Sequence, residues 1–192
     1  AIAGSWIQNR DKSPEYLTTP VWDFEMGFVK LYHLELPDAI KHLEQYQKDF
    51  KGRFYVKDAY NKLSLAYYLQ GNQAAATATR NKILKYGALD TDADKKAQKD
   101  AKTNFWPNTL LLKARLLNDG GFHKEALSIL YGKSIEQFNT EEDRLEFTYR
   151  VARIYDDLGR NDDAIKYYQT AIVLGEHRKE YYASRAALQI AQ

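Results

Sequence analysis

Four times along this 192-residue chain, a small residue is followed twelve positions later by an alanine. The pairs are Gly27 and Ala39, Ser64 and Ala76, Ala114 and Ala126, and Ala152 and Ala164. A helix breaker lies inside each pair: Leu36-Pro37, Gly71-Asn72, Gly120-Gly121 and Gly159-Arg160-Asn161. Three residues after the first small residue stand Tyr67, Leu117 and Tyr155, and in the first unit Lys30 with Leu31 beside it. Two helices joined by a short turn approach closely only where facing side chains are small. Glycine at the break supplies the left-handed backbone that ends a helix. One internal spacing, kept four times, confines the chain to antiparallel helix pairs.

Composition agrees with that reading. Ten glycines and four prolines are too few turn formers for a sandwich or barrel of short strands. Hydrophobic residues at 44% and charged residues at 28% suit a globular domain with its own core. No apolar run approaches the roughly 18 residues of a membrane helix, so membrane insertion is not expected. A formal net charge of +2 gives no strong field for nucleic acid, which is not expected as a partner. The absence of cysteine excludes disulfides, thiolate metal sites and a cysteine nucleophile, and leaves the compartment open.

The clearest unit runs from Leu145 to Gly175. It reads Thr148-x-x-Val151-Ala152-x-x-Tyr155, then Gly159, then Ala164-x-x-x-Tyr168-x-x-Ala171. This resembles the tetratricopeptide repeat, whose pattern is W-x2-L-G-x2-Y, then A-x3-F, then a closing proline. Thr148 stands where that family has Trp, and Glu176 near where it has Pro. Residues 107–133 match through Ala114, Leu117, Gly121, Ala126 and Leu130. Residues 57–87 match through Tyr60, Leu63, Ser64, Tyr67, Gly71, Ala76 and Ile83, with Arg80 in place of the aromatic. Residues 20–50 are the most divergent, keeping Gly27, Ala39, Leu43 and Tyr46. The resemblance implies an all-α fold, a right-handed superhelical solenoid of antiparallel helix pairs forming one domain over residues 1–192. It also extends to larger bacterial proteins carrying divergent repeats of this kind.

The spacing is uneven. Ala39 to Ala76 is 37 residues, Ala76 to Ala126 is 50, and Ala126 to Ala164 is 38, against about 34 in a regular array. The excess falls on residues 88–103, where aspartates and lysines alternate at helical spacing. That stretch is expected to be an exposed inserted helix or a solvated link. Residues 1–19 read as a capping segment through Trp6 and Ile7, and Thr19-Pro20 as a helix start. Arg150-Val-Ala-Arg153 begins to recur as Gln189-Ile-Ala-Gln192, so residues 179–192 read as the first helix of a truncated fifth unit. The chain is therefore expected to be a piece of a longer protein.

No catalytic constellation is visible, and no enzyme activity, metal or cofactor is expected. There is no G-x-S-x-G, no phosphate loop and no H-E-x-x-H. His33, His42, His123 and His177 are scattered. Asp90-Thr-Asp-Ala-Asp94 opens like a calcium loop, but Lys95 and Ala101 occupy the places that need glycine and glutamate. It reads as an acid-rich helix start, as does Glu141-Glu142-Asp143 after Thr140.

The resemblance implies that the first helix of each pair lines a concave face that binds a peptide or partner helix. Helical spacing places Asn61, Leu65 and Tyr68 there from the second unit, and Asn108, Leu111, Arg115 and Asn118 from the third. Tyr149, Arg150 and Arg153 come from the fourth. Amides, a tyrosine and arginines can pair a peptide's backbone and carboxylates. The alternative is that these are ordinary helix faces whose arginines pair nearby acids. A subset of the family clamps a terminal carboxylate with lysine, asparagine and arginine. Here those places hold Asn61, Leu65, Leu112, Glu146 and Arg150, of which only Arg150 fits. The inward stripe of the first unit, Val21, Phe24, Phe28, Leu31 and Tyr32, is largely apolar and is expected to be packed over. The expected function is a protein-binding scaffold. The second reading is a structural spacer or self-associating array that positions a neighbouring domain.

Overall fold

A computed structural model describes residues 20–103 and 105–192. The capping assigned to Trp6, Ile7 and Thr19 lies outside the described residues. The described chain is all-helical, with no strand. It divides into two compact units, Ala1–Trp106 and Pro107–Gln192. The first unit holds α1 (Pro20–Tyr32), α2 (Leu36–Asp49), α3 (Val56–Leu69), α4 (Gln73–Ile83) and α5 (Asp92–Lys102). The second holds α6 (Thr109–Asp119), α7 (His123–Leu130), a 3-10 turn at Ile135–Gln137, α8 (Glu141–Asp157), α9 (Asn161–Gly175) and α10 (Tyr182–Ala191).

The fourfold spacing is a fourfold structure. Helix α1 packs on α2, α3 on α4, α6 on α7 and α8 on α9. Each pair is joined by the same turn. The amides of Glu35, Asn72, Phe122 and Arg160 donate to the carbonyls of Lys30, Tyr67, Leu117 and Tyr155, at 2.8–2.9 Å. This bond, running from a residue back to the fifth before it, is the mark of a Schellman ending. The residue just before each donor is left-handed: Leu34, Gly71, Gly121 and Gly159, with φ of 59°, 87°, 85° and 72°. In the first pair the break therefore falls earlier than Leu36-Pro37 suggests, because Leu36 already opens α2. Leu34 takes the conformation that glycine holds in the other three.

All eight small residues of the pattern are buried. At Gly27 the two helices of the first pair meet closely. A Cβ there would lie 2.6 Å from Leu43 Cγ and 3.3 Å from its backbone nitrogen. Four residues after each alanine comes another buried side chain: Leu43, Arg80, Leu130 and Tyr168.

A first helix also packs on both members of the pair before it: α3 on α1 and α2, α8 on α6 and α7, and α10 on α8 and α9. In the first unit that slot against α3 and α4 is filled by α5. Within the inserted stretch, α5 has one face buried through Ala97, Ala101 and Asp94.

Asp94 ties the starts of α3 and α5 together. Its carboxylate is fully buried. Oδ2 accepts from Tyr55 N at 2.7 Å and from Thr91 Oγ1 at 2.7 Å, while Oδ1 accepts from Lys57 N at 3.0 Å and Asp58 N at 3.1 Å. Tyr55, Lys57 and Asp58 offer the orphan amides at the start of α3, so a residue on α5 caps another helix. The left-handed Tyr55 (φ 60°) provides no side-chain cap of its own. The buried Lys57 ammonium donates at 2.6 Å to the carbonyl of Ile83, the last residue of α4. Burial pushes that ammonium below its ordinary range, and the neighbouring Asp94 opposes the shift.

Candidate protein-binding face

Three of the sequence-derived residues lie in the first unit. Asn61 is partly exposed on α3, whereas Leu65 is buried. Tyr68 stacks on Trp106 with ring centroids 4.7 Å apart. The Arg80 guanidinium lies 3.8 Å from the Trp106 ring centre and donates to the Phe105 carbonyl at 2.6 Å. The departure from an aromatic at Arg80 thus has a use. The cation holds the segment after α5 through its π face and one carbonyl.

The other seven lie in the second unit, where α6 and α8 pack side by side. Asn108 caps α6, its Oδ1 accepting from Leu110 N at 3.0 Å. Leu111 and Tyr149 are buried, so with Leu65 they serve packing and are not open to a ligand. Tyr149 stands beside Tyr168 and Tyr182 in the core formed by α8, α9 and α10. Helical spacing alone made these three inward-facing. Their first-helix faces also meet the neighbouring helices, and that contact covers them.

The remaining polar residues form two sets of local pairings. Arg150 donates Nε and Nη2 to Glu146 Oε1 at 3.1 and 3.0 Å. Burial by itself would lower the Arg150 guanidinium, but Glu146, together with Tyr182 and Tyr181, more than offsets this and holds it above its ordinary value. Arg153 Nη2 reaches Asp157 Oδ2 at 3.4 Å. Asn118 Nδ2 donates to the same Asp157 oxygen at 2.7 Å, and its Oδ1 lies 2.8 Å from His123 Nδ1. Because the Asn118 amide points its nitrogen at Asp157, its oxygen must accept, and the proton sits on His123 Nδ1. Arg115 is different. It is partly exposed and makes no ion pair among the described residues. It stands near enough to the Tyr182 hydroxyl to act on it electrostatically, as does Arg150.

Sequence reasoning missed the partners Glu146, Asp157 and Tyr182. Two of them were visible as i,i+4 pairs, Glu146 with Arg150 and Arg153 with Asp157. Tyr182 comes from α10 and only the fold brings it near. Among the described residues no three His, Asp or Glu side chains gather as metal ligands. No helix among them is long and apolar enough to cross a membrane. Comparison with protein-family models, curated proteins and solved structures finds no match to this chain.

Proposed function

We propose that this chain is a non-catalytic protein-interaction scaffold of tetratricopeptide type. Its helix pairs build a right-handed superhelix, and the first helices α6 and α8 present the face that takes a peptide or partner helix. The observation that carries this reading is Arg115. It is a partly exposed cation without an ion pair among the described residues, on a first helix and within electrostatic reach of Tyr182 on α10. The repeated turn and the buried alanines support the array itself. Arg150 and Arg153 serve mainly to hold Glu146 and Asp157 in place, so they frame the face while Arg115 meets the ligand.

The test uses the whole chain as bait in a lysate of the source cell, alongside Arg115→Glu, after circular dichroism shows that both are folded. A partner identified by mass spectrometry with the parent, and lost with Arg115→Glu, is the expected result. A partner indifferent to Arg115→Glu would remove this face from the account. No partner, together with a concentration-dependent rise in mass by light scattering, would favour a self-associating array.

A further inference from the structure

A second surface lies on a different face of α3, inside the first unit. Helices α2 and α4 both pack on α3. Between them runs a groove of about 460 Å³, open to solvent. Its floor is Tyr60, Leu63 and Tyr67, at the i, i+3, i+7 spacing of one helical stripe. Its α4 wall is low, built from Ala75, Ala78 and Thr79.

The pair α8–α9 of the second unit fills the corresponding space with a ring. Counting from the buried alanines Ala76 and Ala164, Thr79 corresponds to Tyr167. Counting from Ser64 and Ala152, Tyr67 corresponds to Tyr155. In the second unit the Tyr167 ring lies against Tyr155, with centroids 5.7 Å apart. In the first unit the shorter Thr79, itself buried, lines the groove together with Tyr67. The missing group is an aromatic ring.

The rim adds a sign. Glu44 is engaged by the Tyr67 hydroxyl. Lys48 and Lys82 also line the groove and make no ion pair among the described residues, although Lys82 lies 5.8 Å from the Tyr60 ring centre. Charge complementarity therefore calls for carboxylates on the occupant. A small molecule needs most of its surface enclosed. This groove is open on its solvent side, and exposed Ala74 and Ala78 on α4 allow a second chain to approach closely.

We propose that this groove receives an aromatic side chain of a protein partner, carried on a segment whose flanking carboxylates meet Lys48 and Lys82. The proposal is independent of the α6–α8 face, which lies in the other unit.

The test is a nitrogen-15 NMR titration of the full chain with the peptide acetyl-Glu-Asp-Trp-Asp-Glu-amide. The same peptide with alanine for tryptophan, and with lysines for the acids, serves as control. The expected result is saturable shifts at the amides of Ala75, Ala78 and Thr79, with both controls weaker by about tenfold or more. Thr79→Tyr, which rebuilds the filled arrangement of the second unit, should abolish the shifts. Lys48→Glu with Lys82→Glu should weaken binding by about tenfold and covers the case in which Thr79→Tyr does not fold. The absence of shifts at these amides at millimolar peptide overturns the proposal. So does unchanged affinity in folded Thr79→Tyr, binding confined to α6 and α8, or equally tight binding of free N-acetyltyrosine.

Discussion

Replacing Asp94 by alanine is expected to destabilise the first unit by about 3–5 kcal/mol, the range for removing one partner of a buried charged network. The carboxylate accepts four hydrogen bonds while fully buried. Alanine leaves the amides of Tyr55, Lys57 and Asp58 without an acceptor, each costing about 1–3 kcal/mol if water cannot reach it. It also strips the nearest counter-charge from the buried Lys57 ammonium. Asp94→Asn should fall between. Its oxygen can still serve Lys57 and Asp58, but its NH2 then faces the Tyr55 amide and the Thr91 hydroxyl. The readout is convenient, because Trp6, Trp22 and Trp106 all precede Pro107. Tryptophan fluorescence in urea therefore reports the first unit, and circular dichroism reports both. A fluorescence transition shifted to much lower urea is expected. A midpoint within the error of the parent would show that α5 is not the clamp on α3 and α4.

The second large effect is an alkaline collapse. Six phenols, Tyr46, Tyr60, Tyr67, Tyr167, Tyr168 and Tyr182, are held above their ordinary value, chiefly by burial. Tyr67, whose hydroxyl is also engaged by Glu44, is pushed up to about 12. A group whose folded value is raised keeps its stabilising effect below the unfolded value, near pH 10 for tyrosine. That effect is lost as the pH climbs through the folded value. Lys57 has the opposite sign, since its folded value is depressed and raising the pH relieves its burial. One lysine acts against six phenols spread over both units, so net stability falls as the pH rises above about 10. Phenolate absorbance at 295 nm should rise in two stages, the later one coinciding with loss of the helical signal. A single titration near pH 10, with helicity intact, would contradict the burial of these rings.

The helix pairs were legible because close packing demands small residues at fixed places. Gly27, Ala39, Ser64 and Ala76 declare the pairing without any knowledge of the fold. Gly71, Gly121 and Gly159 announced three turns, whereas Leu34 hid the fourth by adopting the same left-handed backbone. The insertion was legible as a charged helix or link, but not as a packed one. Its buried face is Ala97, Ala101 and a carboxylate, and no hydrophobic stripe marks it. Asp94 read as an ordinary first-turn acid, because the three amides it accepts from lie 36 to 39 residues away. The candidate face was only partly legible. Spacing around a helix gives direction, not cover, so it could not show that Leu65, Leu111 and Tyr149 are packed. The groove over Tyr60 and Tyr67 left a faint trace in the sequence: threonine in one unit where the other has tyrosine.

Four helix pairs share one turn, and native-state hydrogen exchange at four amides tests this most directly. Glu35, Asn72, Phe122 and Arg160 each sit at a turn on the surface of a helix pair, where an unbonded amide would exchange at once. Each instead donates to the carbonyl five residues before it. The account predicts measurable protection at all four, including Glu35, which has no glycine before it. Free exchange at Asn72, Phe122 or Arg160 in the folded protein would contradict the common turn, and with it the repeat on which the proposed binding face depends.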